Sequence, residues 1–217
     1  FDEPTLGGLA AVIDAANATS QTRIETRPPE APRVLTHAQQ RQLVLAQLDP
    51  DNPAYNIPAV VKVCGELEPD AWQRALTKLC ERHDVLHTAY HSDDGGKTAP
   101  VLQAVCPPAC NDLDYSTLPA SERLERAEAA LLLDAKIPIK LTEAPLLRVT
   151  RIKLSVDEHL VMLVLHHIIG DAWSLKVLLH DLLALSLSQE PLAPLPLAYS
   201  DYAHHERRRD HTVSLTY

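Results

Sequence analysis

The chain has 217 residues, 46% of them hydrophobic and 23% charged, enough for one modest core. Acidic residues outnumber basic ones 29 to 20, a formal charge of −9, which argues against nucleic acid or an anionic membrane as the main partner, since either would repel the protein. No apolar run approaches the ~20 residues that cross a bilayer, and the opening FDEPTLGG lacks the basic-then-apolar order of a signal peptide, so a soluble, cytoplasmic protein is expected.

FDEPTLGGLAAVID reads as a short amphipathic helix started at Pro4, with Leu6, Leu9, Ala10 and Ile13 at helical spacing. The following NATSQTRIETRPPEAPR is polar, proline-bearing and poor in apolar residues, the composition of a linker. A second unit therefore starts near Val34. Thr36 is placed to cap the helix AQQRQLVLAQL, whose Leu43, Val44 and Leu48 share a face. NIPAVVKV is β-branched and strand-like, while PDAWQRALTKLCERH has helical period with Pro69 early. VLHTAYH and VLQAVC read as strands on either side of the turn SDDGGK. SERLERAEAALLLDA reads as a capped helix, and PLLRVTRIKL with HLVMLVLHH as an antiparallel hairpin closed by SVDE. WSLKVLLHDLLALSLS is a long apolar-faced helix. A proline-rich stretch then leads to AYSDYAHHERRRD, a polar, basic tail in which His204, His205 and the nearby His211 are expected in solvent. Strands interleaved with helices, with at least one hairpin, predict a mixed α/β fold with a partly antiparallel sheet.

Cys64, Cys80, Cys106 and Cys110 show no CxxC pair and no metal-ligand spacing. Cys64 in a strand and Cys80 in a helix are expected as small buried thiols. Cys106 and Cys110 flank Pro107 and Pro108, and a reducing compartment would keep such a pair open.

The stretch that concentrates chemistry is LVMLVLHHIIGDAWSLKVLLHDL. An unbroken apolar strand, Leu160 to Leu165, ends in His166 and His167, and Asp171, Trp173 and Ser174 follow before the helix. Consecutive strand residues face opposite sides, so one histidine can meet a cleft and the other the interior. Asp171 is within reach of the pair, and a carboxylate beside an imidazole fixes its tautomer and raises its basicity. A plainer reading stands beside this one: a hydrogen-bonded histidine pair in the core, and an aspartate that caps the next helix. A metal site fits poorly, because adjacent strand histidines diverge while zinc ligands converge. No GxSxG elbow is present to offer a nucleophilic serine.

HHIIGDAWS resembles the HHxxxDG signature of the condensation domains of nonribosomal peptide synthetases, members of the chloramphenicol-acetyltransferase-like superfamily. Three more stretches are similar to that family's motifs, in the same order. LTHAQQRQLVLAQLDPDNPAYNIP resembles the opening SxAQxRLWxLxQLDP and AYNIP, ERHDVLHTAY resembles RHExLRTxF, and LPLAYSDYAHHERR resembles YxDYAxW. Together they span residues 35 to 209. Departures are Ala172 for the motif's glycine, Leu43 and His205 for two tryptophans, and His87 for the later arginine, with Arg82 keeping the earlier one. FDEPTLGGLAAVI resembles the last helix of a carrier domain.

The resemblance implies a chloramphenicol-acetyltransferase-like lobe with a mixed, largely antiparallel sheet flanked by helices. It divides the chain into a carrier-domain helix (1–16), a linker (17–33) and the N-terminal lobe of a condensation domain (34–217). The implied reaction joins a carrier-bound acyl or peptidyl thioester to the amine of a carrier-bound aminoacyl group. Substrates ride on the phosphopantetheine arms of upstream and downstream carriers, with no directly bound cofactor and no metal. The other implied partners are the second lobe and an adjacent adenylation domain. His167 is expected to act as base or positioning group, His166 to shape the site, and Asp171 to be structural through pairing with an arginine, for which Arg82 is the candidate. Trp173 and Ser174 are expected to support the site. Family members run to about twice this length, with the channel between two lobes, so this chain alone is expected to be inactive. A coenzyme A-dependent acyltransferase of the same superfamily, and a carrier-binding lobe without catalysis, are the alternative readings.

Overall fold

The computed structural model describes residues 5–16, 23–93, 95–187 and 192–210. Its main sheet has four strands in the order β1-β6-β5-β4: β1 Asn56–Cys64, β6 Glu158–His166, β5 Leu147–Lys153 and β4 Cys110–Asp114. β6 runs antiparallel to both β1 and β5, whereas β4 lies parallel to β5. A separate antiparallel ribbon joins β2 (Thr88–Ser92) to β3 (Thr98–Leu102).

The apolar run of β6 is explained by its place in the sheet. Val161, Leu163 and Leu165 face one side, packed in a cluster with Leu76 and Leu79 of α3 (Pro69–Arg82) and Leu178 and Leu182 of α5 (Ala172–Leu187). Leu160, Met162 and Val164 face the other, clustered with Ala127 and Leu131 of α4 (Ala120–Ala135). A strand buried on both faces has no position to give to a polar residue, so alternation disappears. Pro58 sits in β1, where an edge strand tolerates a missing N–H. β4 is the opposite edge. Its CNDLD has no apolar alternation, and sequence patterning does not reveal it.

Several expectations need correcting. The predicted strand VLHTAYH opens as a 3₁₀ turn over Asp84–His87 and extends only from Thr88, and VLQAVC contributes only Val101 and Leu102 to β3. Between β2 and β3, Gly96 takes φ +77°, which explains a glycine in that turn. α2 (His37–Leu48) has the expected cap: Thr36 Oγ1 accepts from Gln39 N–H at 3.1 Å, and Gln39 Oε1 accepts from Thr36 N–H. Its buried face, however, is Gln39 and Leu43, while Val44 and Leu48 are exposed. α4 starts behind Pro119 with no side-chain cap. Cys64 is exposed at the end of its edge strand, Cys80 is buried, and all four thiols are free. Burial lifts Cys80 to about 12. The presumed tail is helix α6 (Tyr199–Asp210), where His204 and His205 are half-buried; His211 lies outside the described residues.

α1 spans Leu6–Ala16, with Thr5 Oγ1 accepting from Gly8 N–H, and its Leu6 and Leu9 are exposed. Pro4 lies outside the described residues, as does the stretch 17–22 of the presumed linker. From Arg27 onward the chain is fastened to the domain. Arg27 N–H donates to Asp201 Oδ1 at 2.8 Å, its guanidinium bonds the carbonyls of Pro28 and Ala31, and Arg33 pairs with Asp84 at 2.9 Å.

Candidate active site

β6 ends at His166 and the turn begins at His167, so the two imidazoles stand at one end of the sheet in separate pockets. The loop that follows is held by its backbone. His166 N–H donates to Leu146 O, His167 N–H to Tyr55 O at 2.8 Å, and Ile169 N–H to His166 O. Asn56, opposite His166 in the β1–β6 register, donates through Nδ2 to the carbonyls of Ala135 and Ile137, tying β1 to the end of α4.

His166 is 4% exposed. Its Nδ1 accepts the Ile168 N–H at 3.1 Å, so the neutral ring carries its proton on Nε2. Burial, assisted by the neighbouring His167, pushes its pKa down to about 4, so the ring is uncharged at neutral pH. It lines a cavity of about 590 Å³ with Leu43, Tyr55, Tyr90 and Ile139, and its ring lies 6.2 Å from that of Tyr55.

His167 is exposed and lines a cleft of about 330 Å³ on the α3–α5 side of the sheet. Its Nδ1 lies 2.9 Å from Gly170 O. A carbonyl oxygen only accepts, so Nδ1 carries the proton and Nε2 keeps its lone pair. That tautomer is the one a proton acceptor needs. The apolar walls of the cleft are Val85, Ile169, Trp173, Val177 and Leu178. Gly170 is required by close approach: a Cβ there would stand 2.8 Å from Ser174 Cβ.

Asp171 is not a partner of either imidazole. Its Oδ1 accepts from Ser174 N–H and Ser174 Oγ–H, both at 2.8 Å, and its carbonyl accepts from Leu175 N–H. It is the N-cap of α5, and the Ser174 amide, with the Ser174 hydroxyl, holds its carboxyl below the usual carboxylate range. Ala172 in the motif's glycine place is the first residue of that helix, a position that suits alanine. The expected pairing with Arg82 is absent. Arg82 Nε donates to Asp181 Oδ2 at 2.8 Å and its Nη1 donates to Ala193 O, so it ties the end of α3 to α5 and to the segment beyond it. Trp173 is 71% exposed at the cleft, with Lys176 Nζ 5.4 Å from its ring centre.

Structure adds residues that motif reading passed over, although each lies within a quoted motif. Gln39 Nε2 donates to Tyr90 Oη at 2.9 Å and to Ile168 O at 3.3 Å, so α2 and β2 both hold the loop that carries His167. Burial raises the Tyr90 phenol far above its ordinary value, so it stays a neutral hydrogen-bond group. Tyr55, Asn56 and His83 also border the site. Only their contacts, separated widely in sequence, mark them.

A strand-end histidine with a fixed tautomer, carried on a mixed sheet between helices, is the arrangement of the chloramphenicol-acetyltransferase-like fold. Solved structures of that fold superpose well. The first condensation domain of the calcium-dependent antibiotic synthetase, in complex with substrate analogue 2a, matches with a TM-score of 0.72 at 22% identity, covering 85% of this chain and 44% of that one. The X-domain from teicoplanin biosynthesis matches with a TM-score of 0.76 at 23% identity, covering 90% and 42%. The chain belongs to the condensation domain family, whose model matches residues 31–214. Among similar proteins, a linear gramicidin synthase of Brevibacillus parabrevis is 36% identical over 95% of this chain and 3% of its own length. Phosphinothricin tripeptide synthetase PhsC of Streptomyces viridochromogenes is 35% identical over 85% of this chain and 18% of its own. The chain thus spans a small part of these synthetases and under half of the two solved domains.

Proposed function

We propose that this chain is the lobe of a nonribosomal peptide synthetase condensation domain that carries the reacting histidine, and that His167 acts on the attacking amine. The observation that carries this is the His167 ring, which lines a mostly apolar cleft with Nδ1–H held by Gly170 O and, among the described residues, no partner on Nε2. An ordinary amine is mostly protonated at neutral pH and a poor nucleophile. Nε2 accepts a hydrogen bond from the neutral amine, which aims its lone pair at the thioester carbonyl. As the C–N bond forms and the C–S bond breaks, the amine proton passes to Nε2 and then to the departing thiolate of the phosphopantetheine arm, so atoms and charge balance. His166, buried and uncharged, supports the loop, and Asp171 starts α5. The donor and acceptor thioesters arrive on upstream and downstream carriers. The second lobe supplies the other wall of the channel, and this chain alone does not catalyse.

The division of the N-terminus follows the same reading. Residues 1–16 are the last helix of a preceding carrier, consistent with exposed Leu6 and Leu9 on α1, and residues 17–33 connect it to the lobe. The test uses the full-length protein with both carriers loaded. His167→Ala should lower the condensation rate by about 10²–10⁴-fold without changing thermal stability. Equal rates would remove His167 from the mechanism. A second reading is a docking lobe without chemistry; one neighbour of this fold, the X-domain from teicoplanin biosynthesis, is solved in complex with OxyB, with a TM-score of 0.76. It predicts carrier binding, and no product, in the wild type. Acetyl transfer from free coenzyme A without any carrier would instead indicate a stand-alone acyltransferase.

A further inference from the structure

A second imidazole lines the His167 cleft. His83 is the residue just after α3 and is contributed by the ERHDV stretch, far in sequence from β6, yet it lines the same cleft as His167, Val85 and Leu178. Its Nε2 lies 2.9 Å from Asp181 Oδ2, on the far half of α5. Burial works against the charge on Asp181, but hydrogen bonds from His83, Arg82 and His180 outweigh it and hold the carboxyl below its ordinary range. The acceptor is therefore a carboxylate, and a carboxylate only accepts. His83 must place a proton on Nε2. Among the described residues its Nδ1 has no hydrogen-bond partner, and it is not one of the fully buried, unpartnered atoms. The side chain is only 13% exposed, and the residue lines the cleft.

The charged surroundings favour this arrangement over a mobile ring. Asp181 also takes Arg82 Nε at 2.8 Å and His180 Nδ1 at 3.4 Å, while Arg82 Nη1 is anchored on Ala193 O. The neighbouring Asp84 is paired with Arg33. Asp181 itself is more than nine-tenths buried. An aspartate that fixes one imidazole nitrogen leaves the other, unpartnered among the described residues, as an acceptor on a residue that lines a mostly apolar cleft.

We propose that His83 is a substrate-binding residue of this cleft, accepting through Nδ1 a hydrogen bond from an amine or amide N–H of the carrier-borne aminoacyl or peptidyl chain while Asp181 holds the ring. The proposal rests on the reading of the His167 cleft as the acyl-transfer site. It assigns the two histidines different tasks: His167 acts at the bond being made, and His83 holds the substrate some distance along the cleft.

Two measurements test it. Two-bond ¹H–¹⁵N NMR of the 217-residue chain at pH 8, where an ordinary imidazole is neutral, should show His83 protonated on Nε2 and bare on Nδ1. Protonation on Nδ1 would overturn the proposal without any reference to activity. In the full-length protein, His83→Gln keeps a donor for Asp181, since the amide nitrogen stands where Nε2 stood, but leaves no acceptor at the Nδ1 position, its amide oxygen projecting from the opposite edge. KM for the carrier-borne substrate should rise about 5- to 10-fold with kcat changed less than about twofold, the effect of one hydrogen bond. An unchanged KM, or a fall confined to kcat, would overturn it. If His167→Ala abolishes the rate and His83→Gln leaves KM alone, the binding role of His83 fails and the cleft stands. If His167→Ala has no effect, the cleft assignment itself fails, while the NMR result stays valid as a property of the fold. Should the glutamine variant unfold, the wild-type tautomer keeps the proposal open to refutation.

Discussion

His166 and His167 are adjacent on the chain but belong to different environments. His166 is 4% exposed, its Nδ1 is taken by a backbone amide, and its charge is suppressed to a pKa of about 4. His167 is exposed and lines the cleft, and its Nδ1 is tied to Gly170 O. The difference arises because the strand ends between them: His166 is its last residue, and His167 opens the turn that leads to α5. A pair of histidines in a motif is therefore two devices, one that holds the loop and one that the loop presents. The comparison breaks if their substitution phenotypes are alike.

The largest effect should come from removing the inner ring. His166→Ala leaves the Ile168 N–H without its acceptor and opens a void next to Tyr55, which should destabilise the 217-residue chain by about 2–4 kcal/mol in urea denaturation. His167→Ala, at an exposed position, should change stability by less than about 0.5 kcal/mol. Equal losses would mean that the two rings do not divide structure from chemistry.

The same contrast has a pH signature. An unfolded His166 titrates near 6.5, the folded one near 4. Between those values the unfolded chain binds a proton that the folded chain does not, so the His166 contribution is complete above pH 6.5 and is lost as pH falls towards 4. The shift is worth about 2 kcal/mol once residual solvent screening is allowed for. His166→Asn keeps an acceptor for the Ile168 amide and cannot titrate. Its stability should fall less than that of the wild type between pH 7 and 4.5, and parallel curves would rule out a suppressed charge at His166.

What the sequence makes legible follows from the distance over which each interaction works. The central strand and its two faces are readable because burial on both sides demands the run Leu160–Leu165. Thr36 is readable as a cap because its partner Gln39 is three residues away. The edge strand β4 is not, since half its partners are solvent and CNDLD needs no pattern. Nor is the His83–Asp181 contact, which spans 98 residues. The expected Arg82–Asp171 pair fails for the same reason: Ser174, three residues from Asp171, supplies its donors locally, while Arg82 is drawn to Asp181 by the packing of α3 on α5. Motif residues can be matched one by one, but a motif does not say which of its members meet.

The loop between His167 and α5 offers a sharper test of what positions the outer ring. Gly170→Ala would drive a Cβ to within 2.8 Å of Ser174 Cβ, so backbone must shift. About 1–2 kcal/mol of stability should be lost, as for overpacking elsewhere. Because Gly170 O holds His167 Nδ1, the rate of the full-length protein should fall as well. Gly170→Ala combined with Ser174→Gly removes the clash but loses the Ser174 hydroxyl bond to Asp171 and puts a glycine in α5, so it should recover only part of the stability. Recovery of stability without rate would show that the Ser174 hydroxyl, and not only the loop path, matters to His167.

Asp171 gives the smallest effect and the cleanest separation of support from chemistry. Its carboxylate is spent on the Ser174 amide and hydroxyl, so the structure makes it a helix cap. Asp171→Ala should cost about 1 kcal/mol, and Asp171→Asn, whose amide oxygen can accept the same N–H, only a few tenths. The rate in the full-length protein should follow that order, with asparagine close to wild type. A catalytic carboxylate behaves otherwise: asparagine, neutral and equally well placed as a cap, would keep stability and lose the rate. Stability and rate measured on the same pair of variants therefore decide whether the aspartate of this motif serves His167 through the helix it starts or through its charge.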